Sequence, residues 1–552
     1  MSSFRSFLAE PVNGGLIRSI ESVLANAPER ILLSDEVCSL TGADIQARIQ
    51  EFKALFDMNI PEGARVGVFL PNSTAKALTI LALMALRRIP VLLNVADHDL
   101  RLEERIKKMH LQALIIEHSA LDRTPESVFK IGLDSQSRVG GIRKPDQIRE
   151  LCPVPAGTVL ILYTSGSMGE PKGVCLSESA ILYNVDFLIR YQGLDETTVA
   201  TMVLPICHTM ALNTQFLPAF FSGGKSIFYD VTLSLGRIYR SLLDSQGTSV
   251  ALISHLVRLC HDEKLRKGLP PAWHVKQVTL AGGVIRSHHL EMCEELFPNA
   301  TIYKGYGLTE AIRVSMISHR DPNFFENTAG YVLPKQEVEI RDDEGNVLPR
   351  GEVGQIFVRG PNVMLGYDQT DSAKNESPFE KGFLRTNDMG AFSEEGHLLI
   401  QGRSDGVVKI LGKKISLKNI EDAALHALPR ASDVKCIAIP SERSDQSLVL
   451  FVELPDAVLG LDESRLFELE TELRVRVKHL CSLPKDVIFL RSFPRTPNAK
   501  IKVAALRDLF HRRHMLNRLV TADLHRISFY GDSLEGQVQH GPLDPFGMGD
   551  VK

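Results

Sequence analysis

The segment Leu160-Ile161-Leu162-Tyr163-Thr164-Ser165-Gly166-Ser167-Met168-Gly169-Glu170-Pro171-Lys172-Gly173 constrains this chain more than any other. Its apolar start, Val159 to Tyr163, is rich in β-formers and reads as a buried strand. The strand empties into a loop of hydroxyl residues and glycines that closes on a lysine. Such a loop can turn backbone N–H groups inward as an anion nest, add hydroxyl donors and finish with a cation, which is what a polyphosphate needs. It is not a Walker loop, because Lys172 lies between Pro171 and Gly173 rather than in a Gly-Lys-Ser/Thr run.

Around this segment the pattern alternates. Val66 to Leu70 is strand-like and Thr74 to Leu86 helix-like, and Ala113 to Ile116 and Val278 to Ala281 read as further strands. Alternation of this kind predicts an α/β fold with parallel sheets. From Val338 to about Gly402 the chain changes to short strands with Asp-Asp-Glu-Gly and Glu-Glu-Gly turns, a β-rich subdomain. Gly402-Arg403-Ser404-Asp405-Gly406 is a turn-rich break. Beyond it, a strand pair around Leu411-Gly412, a helix from Leu417 to Leu428, and strands at Cys436 to Ile439 and Leu448 to Leu454 predict a compact α+β domain of roughly 110 residues. The expected organisation is therefore a large N-terminal domain over 1–402 of layered α/β subdomains plus the β-rich subdomain, a small mobile α+β C-terminal domain over 403–515, and a flexible tail over 516–552.

Composition excludes some functions. Sixty-three lysines and arginines against 67 aspartates and glutamates give a net charge of −4, so there is no nucleic-acid footprint. The most apolar window, Ala77 to Val95, is broken by Arg87, Arg88 and Pro90, so a buried helix and strand are expected rather than a membrane span. The start lacks a sustained apolar core, and no secretory leader is expected. Eight scattered cysteines form no C-x-x-C pair, which favours reduced thiols and a cytoplasmic location.

Four further segments bear on chemistry. Gly305-Tyr306-Gly307-Leu308-Thr309-Glu310 joins close-approach glycines to a carboxylate suited to a hard cation such as Mg²⁺; read alone, its glycines also fit a structural turn. Leu384-Arg385-Thr386-Asn387-Asp388 offers an acceptor, or simply a turn aspartate. Gly402 to Ile415 carries Arg403, Asp405, Gly412 and a basic set of Lys409, Lys413, Lys414 and, just beyond, Lys418, either a solvated face or an anion contact. Phe493 to Ile501 ends in Lys500, with Lys502 as a local competitor. A fifth stretch, Leu204-Pro205-Ile206-Cys207-His208, leads into residues to Gly224 with no aspartate or glutamate. His208 is read either as a site residue or as a satisfied core histidine.

These motifs, in this order over roughly residues 20–510, resemble the acyl-adenylate-forming superfamily of acyl-CoA synthetases, nonribosomal peptide adenylation domains and luciferases. The departures are Met168 for a small hydroxyl residue, and Asn387 and Ala499 for glycines. The resemblance implies ATP-dependent activation of a carboxylate to acyl-AMP with pyrophosphate release. The acyl group then passes to a thiol, either coenzyme A or the phosphopantetheine arm of an acyl carrier protein. It implies a nucleotide site of Thr164, Ser165, Gly166, Ser167, Lys172, Gly283, Gly305, Tyr306, Gly307, Thr309, Asp388 and Arg403. Tyr306 would stack on adenine, Thr309 contact the α-phosphate and Asp388 accept from the ribose. Glu310 and Thr164 would hold Mg²⁺, Lys500 would be catalytic, and His208 would lie at the acyl-pocket mouth. Asp405 would be the hinge, and Gly412 would line the thiol tunnel. The missing acidic residue before Gly224 implies an acid without an α-ammonium group, with an uncharged acyl or aryl tail, as in fatty acid metabolism. A non-catalytic nucleotide-binding homologue and a luciferase-like oxygenase are the rival expectations.

Overall fold

The structure, a computed structural model, describes residues 15–519 except 96–101, 123, 125–126, 146–149, 165–171, 230–236, 282–284, 286, 325–327, 369–376, 411–412, 429–430, 441–445, 455–467, 472, 474–485 and 496–500. Of 405, 407, 409–410, 413–416, 419, 440, 446 and 513–519 only the backbone is described. The chain divides into two compact units, Met1–Ser404 and Asp405–Lys552.

The first unit is built on two large sheets. One has eight strands, in the order Gly366–Tyr367, Gly173–Ser177, Thr158–Tyr163, Ile89–Leu92, Arg65–Phe69, Ala113–Glu117, Phe129–Leu133 and Val139–Arg143. Its centre is parallel and its edges antiparallel. The other has fourteen strands. In it the parallel strands Val199–Met202, Ser249–Leu252, Gln277–Leu280 and Thr301–Leu308 lead into an antiparallel half containing Ala311–Ser318, Phe383–Phe392 and Leu398–Arg403. The fold class is thus the α/β class expected, with the β-rich part where the turn pattern put it.

Helix Thr74–Ala85 lies between the two sheets, with ten of its twelve residues buried, because its sequence is apolar nearly all round. Ser73 caps it by accepting from the Lys76 N–H. Together with Ile89–Leu92 it accounts for the apolar window as a buried helix and strand. Among the described residues no helix is long and apolar enough to cross a membrane. Helix Glu178–Gln192 follows the strand Gly173–Ser177 directly. It is capped by Ser177 and ended by Gly193 at φ +64°. One apolar core joins both sheets.

The second unit holds the strand pair Val407–Ile410 and Lys413–Ser416, the helix Leu417–Ala427, and a sheet of Asp433–Pro440, Gln446–Glu453 and Asp486–Leu490. The helix Val503–Leu519 runs past the expected domain end at 515. Arg403, placed by the sequence in the small domain, is the last residue of a strand in the first unit, held by its pairing with Asp388. The seven described cysteines are free thiols.

Candidate nucleotide site

Thr164 and Lys172 form the two stems of the hydroxyl- and glycine-rich loop. Strands Thr158–Tyr163 and Gly173–Ser177 pair antiparallel, and the Thr164 N–H donates to the Lys172 carbonyl at 3.0 Å. Ser165, Gly166, Ser167 and Met168 lie outside the described residues. A buried group that sequence reasoning missed fixes these stems. Arg65 and Asp368, each 1% exposed at the side chain, form an ion pair at 2.6 Å. The Tyr163 hydroxyl donates to the same carboxylate at 3.1 Å, and the Asp368 N–H donates to the Gly173 carbonyl at 2.7 Å. Burial raises the Asp368 carboxyl above the usual carboxylate range, while Arg65 opposes the rise. A side chain at Gly173 would meet both Asp368 Cβ and the Tyr163 ring at 2.9 Å, so the packing here demands glycine.

The second motif is a strand and a turn. Gly305, Tyr306 and Gly307 lie in Thr301–Leu308, and Thr309 and Glu310 turn into Ala311–Ser318. A Cβ on Gly305 would stand 2.4 Å from the Ser315 carbonyl oxygen, and one on Gly307 would stand 2.5 Å from that of Ile312. These glycines therefore permit close approach of the neighbouring strand, whatever else approaches them. Glu310 is positioned through its backbone, whose carbonyl accepts from the Met364 N–H at 2.9 Å.

Tyr367 connects the two motifs, and no local pattern marks it. Its hydroxyl donates to Glu310 Oε1 at 3.1 Å, and Lys172 Nζ lies 4.9 Å from its ring centroid on the face. No carboxylate among the described residues pairs with Lys172, so Tyr367 carries a cation over its ring face and a carboxylate at its hydroxyl. Burial, and then Glu310, push the Tyr367 hydroxyl well above its ordinary pKa.

Asp388 accepts from the Tyr306 hydroxyl at 2.6 Å. Burial and then Asp388 raise the Tyr306 pKa far above its usual value, opposed by Arg403. Arg403 opposes the rise at Tyr367 as well, so its charge reaches both rings. Asp388 sits on an irregular stretch of Phe383–Phe392, where Thr386 Oγ1 donates to the Ile356 carbonyl and accepts from the Asp388 N–H. Asn387, in place of the glycine usual in the resembled family, has φ +61°. Asparagine is one of the few side chains that enter this left-handed region readily, so the substitution keeps the kink that presents Asp388.

His208 belongs to a different neighbourhood. Its N–H donates to the Pro205 carbonyl, and it precedes a short helical turn, Thr209–Ala211, and a π-helical turn, Leu212–Phe216. Beside it, burial pushes the Cys207 thiol up, but the nearby charges of His208 and Lys76 outweigh this and bring it down to about 7. Also on this side is Arg313, which sequence reasoning overlooked. It is buried at 3% exposure, and burial lowers its guanidinium pKa to about 10.

Of the remaining expected residues, Gly283, Gly412, Ala499 and Lys500 lie outside the described residues, and Asp405 is described by its backbone alone, in a 3₁₀ turn over Ser404–Gly406. The stems of the Lys500 loop are fixed by the antiparallel bridge Arg495–Ile501 and by the Lys502 N–H donating to the Pro494 carbonyl at 2.7 Å. Arg495 pairs with Glu453 at 2.7 Å and Asp433 at 2.9 Å, fastening that stem to the sheet of the second unit.

The sequence profile of the family described as AMP-binding enzyme matches residues 20–368, well over half the chain. The chain belongs to the AMP-binding enzyme family. It is 26% identical over 506 residues to a cyclo-acetoacetyl-L-tryptophan synthase of Aspergillus oryzae; the match covers 86% of this chain but only 12% of that protein. It is 27% identical over 372 residues to an indoleacetate–CoA ligase of Aromatoleum aromaticum, covering 66% of this chain and 69% of the relative. Among solved structures, an o-succinylbenzoate CoA synthetase of Bacillus subtilis in complex with its acyl-adenylate intermediate shares the fold. Its TM-score is 0.74 at 21% identity, over 90% of this chain and 98% of that one. In this AMP-binding chain, the loop stems, Glu310 and the Tyr306–Asp388 pair all fall within or just beyond the matched span.

Proposed function

We propose that this AMP-binding enzyme is an ATP-dependent carboxylate ligase that forms an acyl-adenylate and passes the acyl group to a thiol, most simply that of coenzyme A. The observation that carries the reading is the pair of charges parted by Tyr367. A lysine and a carboxylate, next to a hydroxyl- and glycine-rich loop, stand ready for a polyphosphate and its metal.

The residues divide the work as follows. Lys172 and the loop bind the phosphates. Tyr306, Asp388 and Arg403 bind the nucleoside, with Asp388 accepting from ribose hydroxyls. Glu310 has one carboxylate oxygen engaged by Tyr367, and it suits a hard cation that keeps several waters and binds few carboxylates, with Thr164 beside the loop as a second oxygen donor. Mg²⁺ held there would draw charge from the phosphate oxygens. A substrate carboxylate oxygen attacks the α-phosphorus and the bond to pyrophosphate breaks. Lys500 stabilises the charge that builds on the phosphoryl oxygens. A thiolate then attacks the acyl carbon and AMP leaves. Asp405 is the pivot about which the second unit reorients between the two steps.

Two further observations bear on the acceptor and the acid. The Aromatoleum relative is named for transfer to coenzyme A, which favours that thiol over a carrier protein. The stretch from Pro205 to Gly224 has no carboxylate to pair an α-ammonium, and burying that charge unpaired costs several kcal/mol. Acids without an α-amino group are the proposed substrates.

The test is a carboxylate panel read by pyrophosphate release, with and without coenzyme A, and with an amine in its place. Release with an acid, and thioester only with coenzyme A, is the expected result. Amide formation from the amine would reassign the second step. Silence with every acid would leave a nucleotide-binding protein without ligase chemistry.

A further inference from the structure

Arg313 lies buried inside the first unit. Among the described residues no carboxylate pairs with it. Its one side-chain hydrogen bond runs from Nη2 to Thr214 Oγ1 at 2.6 Å, and its Nε has no partner. A guanidinium has five N–H donors in a fixed fork suited to a carboxylate, and burying it unpaired is costly.

Its position limits what could complete it. A Cβ built on Gly305 would come within 2.9 Å of Arg313 Nη1, so the guanidinium stands over the Gly305 face of Thr301–Leu308. Alternate residues of a strand face opposite ways. Tyr306 therefore projects from the other face, where its hydroxyl meets Asp388. The nucleoside group and Arg313 are separated by the thickness of one strand. Arg313 is also capped by Thr214, from the stretch between His208 and Gly224 that the family resemblance assigns to the acyl side. The π-helical turn Leu212–Phe216 displays that hydroxyl, and such turns often mark functional sites.

We infer that Arg313 is a specificity residue that receives a second, distal carboxylate of the acid substrate. This rests on the ligase reading above and names its substrate class as dicarboxylic acids, activated at the end away from Arg313. It replaces the uncharged tail expected from the sequence, because the acyl side carries a buried cation that an alkyl or aryl tail would leave unpaired.

The test compares the wild-type enzyme with variants at Arg313. The probes are short aliphatic and benzene dicarboxylates, each beside its monomethyl ester, with pyrophosphate release as readout. At least one diacid should exceed its own monoester by about 100-fold or more in kcat/KM, as expected for a desolvated charge pair. In Arg313→Met that ratio should collapse toward unity, and Arg313→Lys should keep part of the diacid preference. A thermal melt establishes that the variants fold. Wild-type activity on monoacids and monoesters with no diacid preferred overturns this inference and leaves the ligase reading standing. No release with any acid, mono or di, removes both.

Discussion

Asp368→Asn is the sharpest probe of how the phosphate-loop stems are held. Asparagine preserves shape and one acceptor but removes the charge. Arg65 is then left 1% exposed with no counter-ion; beyond residue 368 its side chain makes, among the described residues, a 3.2 Å hydrogen bond from Nη2 to the Pro153 carbonyl, and Nε and Nη1 have no partner. Stranding a buried charge in this way costs about 3–5 kcal/mol, a large share of the roughly 5–15 kcal/mol by which proteins are stable. The apolar pair Arg65→Met with Asp368→Leu removes both charges, and should recover most of the loss because desolvation disappears with them. Urea unfolding of the full chain, for Arg65→Met, Asp368→Leu and the double variant, gives the coupling energy, expected at about 2 kcal/mol or more. The nucleotide KM should rise in Asp368→Asn, because Tyr163 and Gly173, both bonded to Asp368, are the residues next to the loop. A loss below about 1 kcal/mol in Asp368→Asn, or a double variant equal to the sum of the singles, would refute the argument.

Other substitutions probe the site itself. Asn387→Gly should keep activity, whereas Asn387→Val, forced to φ +61°, should lose roughly 1–3 kcal/mol of stability and weaken nucleotide binding; equal behaviour of the two would show that the kink is irrelevant. Glu310→Gln should shift the Mg²⁺ titration of pyrophosphate release to higher concentration, and an unmoved curve would remove Glu310 from the metal site. Lys500→Ala should slow adenylation about 10²–10³-fold with ATP binding largely kept, and near-normal release would point to Lys502 instead. Asp405→Pro should depress thioester output far more than single-turnover acyl-AMP; equal losses would make Asp405 merely structural.

What the sequence conveyed was local. Strand runs such as Val159–Tyr163 and the helix from Thr74 carry their period in adjacent residues, and both form where that period puts them. The turn pattern after Val338 likewise became antiparallel strands. Long-range partners were not legible. Nothing near Asp368 signals a bond to Arg65, and Tyr367 gains its role only when its strand pairs with Val174. Arg313 sits in a run of buried strand residues, where a charged letter ordinarily suggests an exposed face; its burial is a fact of the layer above it. The departure at Asn387 was visible as a letter, and its left-handed backbone became visible only as a dihedral angle.

The fastening of the loop by residues 366–368 also has a bearing on how the chain is made. Arg65 and Asp368 are 303 positions apart, so at roughly 5–20 residues per second a ribosome needs about 15–60 s to synthesise the second after the first. Throughout that interval the eight-stranded sheet lacks its Gly366–Tyr367 edge, and Arg65 lacks the carboxylate it pairs with in the finished fold. The nascent polypeptide thus carries an unfinished sheet edge and an unsettled charge for most of its synthesis, a state that chaperones recognise and that any fragment ending before residue 368 would retain.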